Sequence, residues 1–169
     1  MKLDLREILD TPGARLPFKL ELSGERLDFD AVTGYDGPIQ ARGEVINTAG
    51  VLTARGEITA RLRCVCDRCG GSYELERTTK VDTPLVPASE CEDGEGGYES
   101  EAFPFEGDWL DLDDLLETAF ILDMPTKFLC RDDCKGLCPK CGKNLNEGPC
   151  DCRKDVDPRF AVLEQLLDK

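Results

Sequence analysis

Residues 51–69 read VLTARGEITARLRCVCDRC, and from Leu52 to Cys66 their side chains alternate in character with a period of two. One face collects Leu52, Ala54, Gly56, Ile58, Ala60, Leu62, Cys64 and Cys66; the other collects Thr53, Arg55, Glu57, Thr59, Arg61, Arg63 and Val65. Successive side chains of a strand point to opposite sides of a sheet. An alternation this long therefore predicts a half-buried antiparallel strand with Arg55, Arg61 and Arg63 facing outward. An arginine row of this kind could touch RNA locally, but it reads more simply as a solvated strand face.

The neighbouring segments extend the sheet. ARGEV at 41–45 echoes ARGEI at 54–58 across the turn-like NTAG, which predicts a hairpin. Gly43 and Gly56 within these strands signal bulges or a close backbone approach. Phe18, Leu20 and Leu22 alternate with Lys19 and Glu21 until Ser23-Gly24 ends the run. Tyr73, Leu75 and Val81 suggest a return strand after a turn near Gly70-Gly71. Pro84, Pro87 and the Gly- and Glu-rich run 90–99 then read as a flexible loop.

Helical spacing takes over afterwards. Leu112, Leu115, Leu116 and Ala119 predict a helix over Asp111–Asp123, stopped by Pro125. The closing DPRFAVLEQLL has a cap at Asp157, Pro158 at the first helical position, and apolar Val162, Leu163, Leu166 and Leu167. The expected class is α+β: an antiparallel β-rich body, barrel- or sandwich-like, then an acidic connector, a helix, a cysteine-rich zinc module and a C-terminal helix. The expected boundaries are 1–86 for the body, 87–107 for the connector and 108–169 for the helices and module, packed with the body as one unit.

With 169 residues, 40 % hydrophobic and 33 % charged, the chain suits one soluble domain or a small core with a satellite module. No apolar run approaches the ~20 residues of a membrane span. The opening MKLDLREILD lacks the apolar core of a secretory signal, so the expected setting is cytoplasmic. There, clustered thiols more often bind metal than form disulfides. The net charge of −14 is local: residues 1–89 carry 14 acids and 12 bases, 90–126 carry 13 acids and no base, and 127–169 carry 8 acids and 9 bases. An acidic field of this kind repels polyphosphate and attracts basic partners. A solvated linker running into an acidic helix face is the plainer reading.

Ten cysteines accompany no histidine, and six of them lie in CRDDCKGLCPKCGKNLNEGPCDC at 130–152. CPKCG, from Cys138 to Gly142, is a zinc knuckle by its chemistry: two thiolates grip one ion, and the glycine lets the backbone turn its amides toward the sulfurs. Cys150 and Cys152 supply a second grip, which closes a tetrahedral site with no position left for substrate. Cys66 and Cys69 with Cys130 and Cys134 make a second site if the chain brings the pairs together, giving two structural zinc ions. The rival grouping places Cys130, Cys134, Cys138 and Cys141 on one ion and leaves Cys66 and Cys69 as free thiols. Cys64 reads as a buried core residue and Cys91 as a free thiol in the acidic loop.

Redox and catalytic readings are thinner. Cys134, Cys138 and Cys141 have the C-x3-C-x2-C spacing of radical S-adenosylmethionine iron–sulfur enzymes, yet no βα repeat surrounds them. CDRC could be a redox pair, but it ends a strand rather than starting a helix. Without histidine there is no histidine-based triad, acid–base dyad or catalytic metal site. Neither a phosphate-binding glycine loop nor an aromatic-and-basic RNA platform is present.

CDRC, the 130–152 block and the closing DPRFAVLEQLL together resemble the YceD family, the large ribosomal RNA subunit accumulation proteins. The resemblance runs nearly end to end, from MKLDLREIL through a C-x-R-C element at Cys66, Arg68 and Cys69 to the final helix. It carries over no catalytic residue. It implies a role in the synthesis, processing or stability of large-subunit ribosomal RNA, in a bacterial cytosol or a plastid, and it hints at a ribosomal-protein partner. The expectation is a non-enzymatic zinc-binding ribosome-biogenesis factor with no small-molecule substrate and no membrane attachment, its acidic segment docking a basic ribosomal protein. The alternative is a thiol or iron–sulfur redox protein.

Overall fold

The computed structural model describes residues 1–90 and 102–152. Along the chain run β1 (Lys2–Asp4), α1 (Arg6–Leu9), β2 (Arg15–Leu22), β3 (Val32–Tyr35), β4 (Ile39–Thr48), β5 (Val51–Val65), β6 (Ser72–Pro87), β7 (Phe103–Phe105), β8 (Trp109–Asp111) and α2 (Leu112–Asp123). The main sheet has the order β2-β4-β5-β6-β7, with β3 also paired to β5; β1 and β8 form a separate two-stranded ribbon. The expected C-terminal helix and the free thiol at Cys91 lie outside the described residues.

β5 is the spine of this sheet, and its burial follows the expected alternation. Leu52, Ala54, Ile58, Ala60, Leu62 and Cys64 are buried, whereas Arg55, Arg61 and Arg63 are exposed. The outward arginines are largely neutralised by neighbours: Arg55 Nε meets Asp82 at 3.0 Å and Arg63 Nε meets Asp36 at 3.2 Å. The β4–β5 hairpin turns at Ala49 and Gly50, with φ of 54° and 92°. Two successive positive φ values define the type I′ turn that matches strand twist. Asn47, 1 % exposed, accepts from the Gly50 amide at 2.8 Å and donates to the carbonyls of Ile8 and Leu9, which ties α1 to the hairpin.

Gly43 and Gly56 stand opposite each other in an unbroken register, so they mark a close approach and not a bulge. A Cβ on Gly43 would lie 2.2 Å from the Arg55 carbonyl oxygen and 2.7 Å from both Gly56 Cα and Phe18 Cζ. The ring of Phe18, paired with Gly43, covers the gap.

The sheet stays open rather than closing into a barrel, since β2 and β7 end the strand order without pairing to each other. Its core side is covered by α2, whose Leu112, Leu115, Leu116 and Phe120 join Ile58, Leu62, Val81 and Leu85 in one hydrophobic cluster. Asp111 caps α2 by accepting from the Asp114 amide at 3.4 Å, and the helix ends at Asp123, two residues before Pro125. An acid at a helix C-terminus opposes the dipole. Here Asp123 is held by Arg77 and by the Thr79 hydroxyl at 2.7 Å.

One expectation needs correcting. Pro84 and Pro87 belong to β6 and not to a loop: Pro84 pairs with Thr53, and Leu85–Pro87 pair in parallel with Phe103–Phe105. A proline's fixed φ lies within the broad extended region, so a strand can pass through it where the missing N–H is not needed. Three-residue β7 therefore joins the sheet from within the stretch read as connector.

The Gly43–Gly56 crossing gives a direct test. Gly43→Ala forces the two backbones apart and should destabilise the fold by about 2–3 kcal/mol, a fall in Tm of roughly 5–10 °C for a chain of this size. An unchanged thermal melt would show that the strands have clearance to spare.

Candidate metal centres

Two knuckles of the same local form carry half of the clustered cysteines. Cys66 directly follows β5 and begins Cys-Asp-Arg-Cys-Gly; Cys138 begins Cys-Pro-Lys-Cys-Gly. In the first, the Gly70 amide donates to the Cys66 carbonyl at 2.8 Å and the Cys66 amide donates to Gly71 at 2.9 Å. In the second, Gly142 donates to Cys138 at 2.9 Å and Cys138 donates to Lys143 at 2.8 Å. Gly70 and Gly142 have φ of 68° and 71°, a left-handed turn that glycine adopts without a Cβ penalty. Each turn aims backbone N–H groups at the first sulfur.

The chain then brings a distant pair to each knuckle. Cys66, Cys69, Cys130 and Cys134 form one group and Cys138, Cys141, Cys150 and Cys152 the other; within each, all sulfurs lie within 4.8 Å of one another. Cys66 Sγ is 3.8 Å from Cys134 Sγ, and Cys69 Sγ is 3.9 Å from Cys130 Sγ. A tetrahedron with metal–sulfur arms of about 2.3 Å has edges of about 3.8 Å. The donor sets thus fit one ion each, with every tetrahedral corner taken by sulfur. The rival grouping of Cys130 and Cys134 with Cys138 and Cys141 does not form. The C-x3-C-x2-C reading also fails, because Cys134 belongs to one group while Cys138 and Cys141 belong to the other. Cys64 sits apart, fully buried in the core beneath β5, and burial pushes its thiol pKa up.

The thiols in each group are unequal. Burial pushes the Cys66 thiol up, but amide N–H groups of Cys130, Cys69 and Arg68 outweigh it and bring the pKa down to about 6. Amides of Cys141 and Lys140, with the Cys150 thiol, bring Cys138 down to about 6. Desolvation and then the neighbouring thiols push Cys130 up to about 12; the bond to Cys141, then desolvation and Cys138, do the same for Cys152. Four sulfurs this close cannot all ionise unaided, because each new thiolate repels the last. A dication removes that conflict, which is the electrostatic sense in which these groups fit a metal.

Residues beyond the cysteines set the geometry. Asp67, inside the first knuckle, clamps Phe128: its amide donates to the Phe128 carbonyl at 2.8 Å, and its carboxylate accepts from the Phe128 amide at 2.6 Å. The Arg68 guanidinium donates to the Cys134 carbonyl at 3.0 Å, and the Arg68 carbonyl accepts from Leu137 at 3.2 Å. Asn146 donates to Cys134 Sγ at 3.3 Å while its Oδ1 accepts from the Lys135 amide at 2.8 Å and from Arg131 at 2.7 Å. Gly136 passes so near Arg68 that a Cβ would meet its carbonyl oxygen at 2.9 Å. Of these four, only Arg68 had a signal in the sequence, as the third residue of the C-x-R-C element.

The fold and the two four-sulfur groups define a cysteine-knuckle protein built on an open, mostly antiparallel sheet. The family model "Large ribosomal RNA subunit accumulation protein YceD" matches residues 54–167, and the chain belongs to the YceD family. An uncharacterized protein of Mycobacterium tuberculosis is 27 % identical over 99 % of this chain and 81 % of its own length. The chloroplastic large ribosomal RNA subunit accumulation protein YCED homolog 1 of Arabidopsis thaliana is 26 % identical over 86 % of this chain and 54 % of its own length. No solved structure matches.

The two groups should respond separately to mutation. Cys66→Ser should remove one metal equivalent and speed amide exchange across residues 128–137. Cys138→Ser should remove the other and leave the Asp67–Phe128 pair protected. Metal analysis paired with hydrogen exchange checks both, and identical profiles for the two variants would contradict the assignment.

Proposed function

We propose that this protein is a non-enzymatic, cytoplasmic zinc protein that supports accumulation of large-subunit ribosomal RNA, and that its acidic segment docks a basic ribosomal protein. The observation carrying this reading is the closed four-sulfur arrangement in a YceD-family chain: each ion would have no open position for a substrate or an activated water. Zinc suits all-sulfur tetrahedra and brings no redox chemistry of its own. The relative from Arabidopsis thaliana is itself named a large ribosomal RNA subunit accumulation protein.

Charge supports a protein partner over general RNA affinity. Glu90 to Asp123 hold 13 acids without a base, and the arginines of the outer sheet face are largely engaged by Asp82, Asp36 and Glu57. Part of the acidity is internal to the fold. Asp113 pairs with the Met1 amino group, and Arg26 meets Asp114 at 3.0 Å and buried Glu117 at 3.2 Å. Asp111 caps α2 and lies 4.0 Å from the Met1 amino group, so the acids we assign to a partner are those of residues 90–101 with exposed Glu106 and Asp108. They would hold a cationic protein away from stray polyphosphate until the subunit accepts it, with an attraction that weakens as salt rises.

Two experiments test this. Fresh, reduced protein should be colourless and carry two zinc ions, and chelation should unfold residues 128–152, since structural zinc in small modules is worth roughly 10–16 kcal/mol. Brown, iron-loaded protein would favour the redox alternative. Neutralising Glu90, Glu92, Asp93, Glu95, Glu99 and Glu101 together should lower ribosomal-protein capture and large-subunit RNA levels. No change in either would reduce the segment to a solvated linker.

A further inference from the structure

Among the described residues, a cavity of about 340 Å³ opens between β7, β8 and the first turn of α2. Its walls combine the rings of Phe103 and Trp109 with the carboxylates of Glu106, Asp111 and Asp114, against a single cation, Lys2. Trp109 is 44 % exposed and is the only tryptophan in the chain. A guanidinium already uses this ring: Arg6 stands 5.8 Å from the Trp109 centroid, and Arg6 is not among the residues lining the cavity.

We propose that this cavity receives an arginine side chain from a partner polypeptide. The inference rests on the docking of a basic partner argued above and narrows it to one place on the molecule. A tryptophan face attracts cations through its quadrupole, and the planar guanidinium can stack on the ring while its N–H groups reach carboxylates. Glu106 is exposed, and Asp114, whose Oδ1 meets Arg26 at 3.0 Å, stands beside it in the cavity wall. Charge-assisted bonds of this kind are the stronger ones. The volume lies at the small end for ligand sites, suiting a side chain or two rather than a large cofactor. Exposed Glu106, beside Asp111 and Asp114 carboxylates that the Met1 amino group and Arg26 only partly offset, disfavours a phosphate or a nucleic-acid strand. Tryptophan and arginine are both enriched among interface hot spots, which sit in pockets that lose their water on binding.

The chain's own Trp109 reports on the site. Zinc-loaded full-length protein is titrated at low salt with an (Arg-Gly)4 peptide and with the same peptide carrying citrulline for arginine, which keeps the shape and removes the charge. The arginine peptide should change Trp109 emission saturably and bind at least tenfold tighter than the citrulline peptide. Glu106→Gln, an exposed substitution outside every helix and named strand, should weaken it roughly fivefold to tenfold, and Trp109→Phe should keep partial affinity by labelled-peptide anisotropy. If Glu106→Gln binds like the unaltered protein while the six-acid variant does not, the cavity assignment fails and docking by the acidic segment stands. If arginine and citrulline peptides bind alike, this cavity is no arginine site; capture of ribosomal proteins by the unaltered chain then decides the broader reading on its own.

Discussion

Sixty-one residues of chain separate Cys69 from Cys130, yet their sulfurs stand 3.9 Å apart, and 68 residues separate Cys66 from Cys134 at 3.8 Å. Closing loops of that length costs on the order of 4 kcal/mol in chain entropy. Four bare thiols cannot offset that, since they repel one another as they ionise. A cation that binds all four can, and its binding free energy is then folding free energy. Among the described residues, the stretch from 128 to 152 depends on this closure. The second group of sulfurs is carried by the segment that the first group fixes, through Asp67 on Phe128, Arg68 on Cys134 and Leu137, and Asn146 on Cys134 and Lys135.

The sheet supplies the rigid side of this joint. β5 and β6 pair continuously from Leu52 opposite Leu85 to Val65 opposite Ser72, and the first knuckle is the turn that joins them. The turn glycines therefore serve two ends at once, reversing the chain and pointing amides at Cys66. At the far end of the same hairpin, β7 and the β1–β8 ribbon place the aromatic and acidic cavity. A four-sulfur group at one end and a charged cleft at the other are thus linked by one long hairpin.

Much of this was readable from the chain. The alternation through Leu52–Cys66 located the central strand, the helical spacing before Pro125 located α2, and the cysteine pairs left over after CPKCG and CDC pointed to the composite site. Other features had no local signal. β1, β7 and β8 are three residues each, too short for any periodicity, and their partners are distant in sequence. Pro84 argued for a loop because local propensity cannot show whether a strand needs that N–H. Whether the sheet closes depends on what flanks β2 and β7, which no single segment encodes. Asp67, Asn146 and Gly136 are unremarkable as letters; their roles exist only once residues more than sixty apart, or on both sides of a knuckle, have met.

The central claim is that two single ions, each held by four sulfurs, organise the region after α2. Zinc-edge X-ray absorption on freshly reduced full-length protein tests it most directly. The account predicts two zinc ions per chain, each with four sulfur neighbours at about 2.3 Å and no oxygen or nitrogen in the first coordination sphere. Iron in place of zinc, or a mean of fewer than four sulfurs per ion with light-atom ligands completing the sphere, would contradict it.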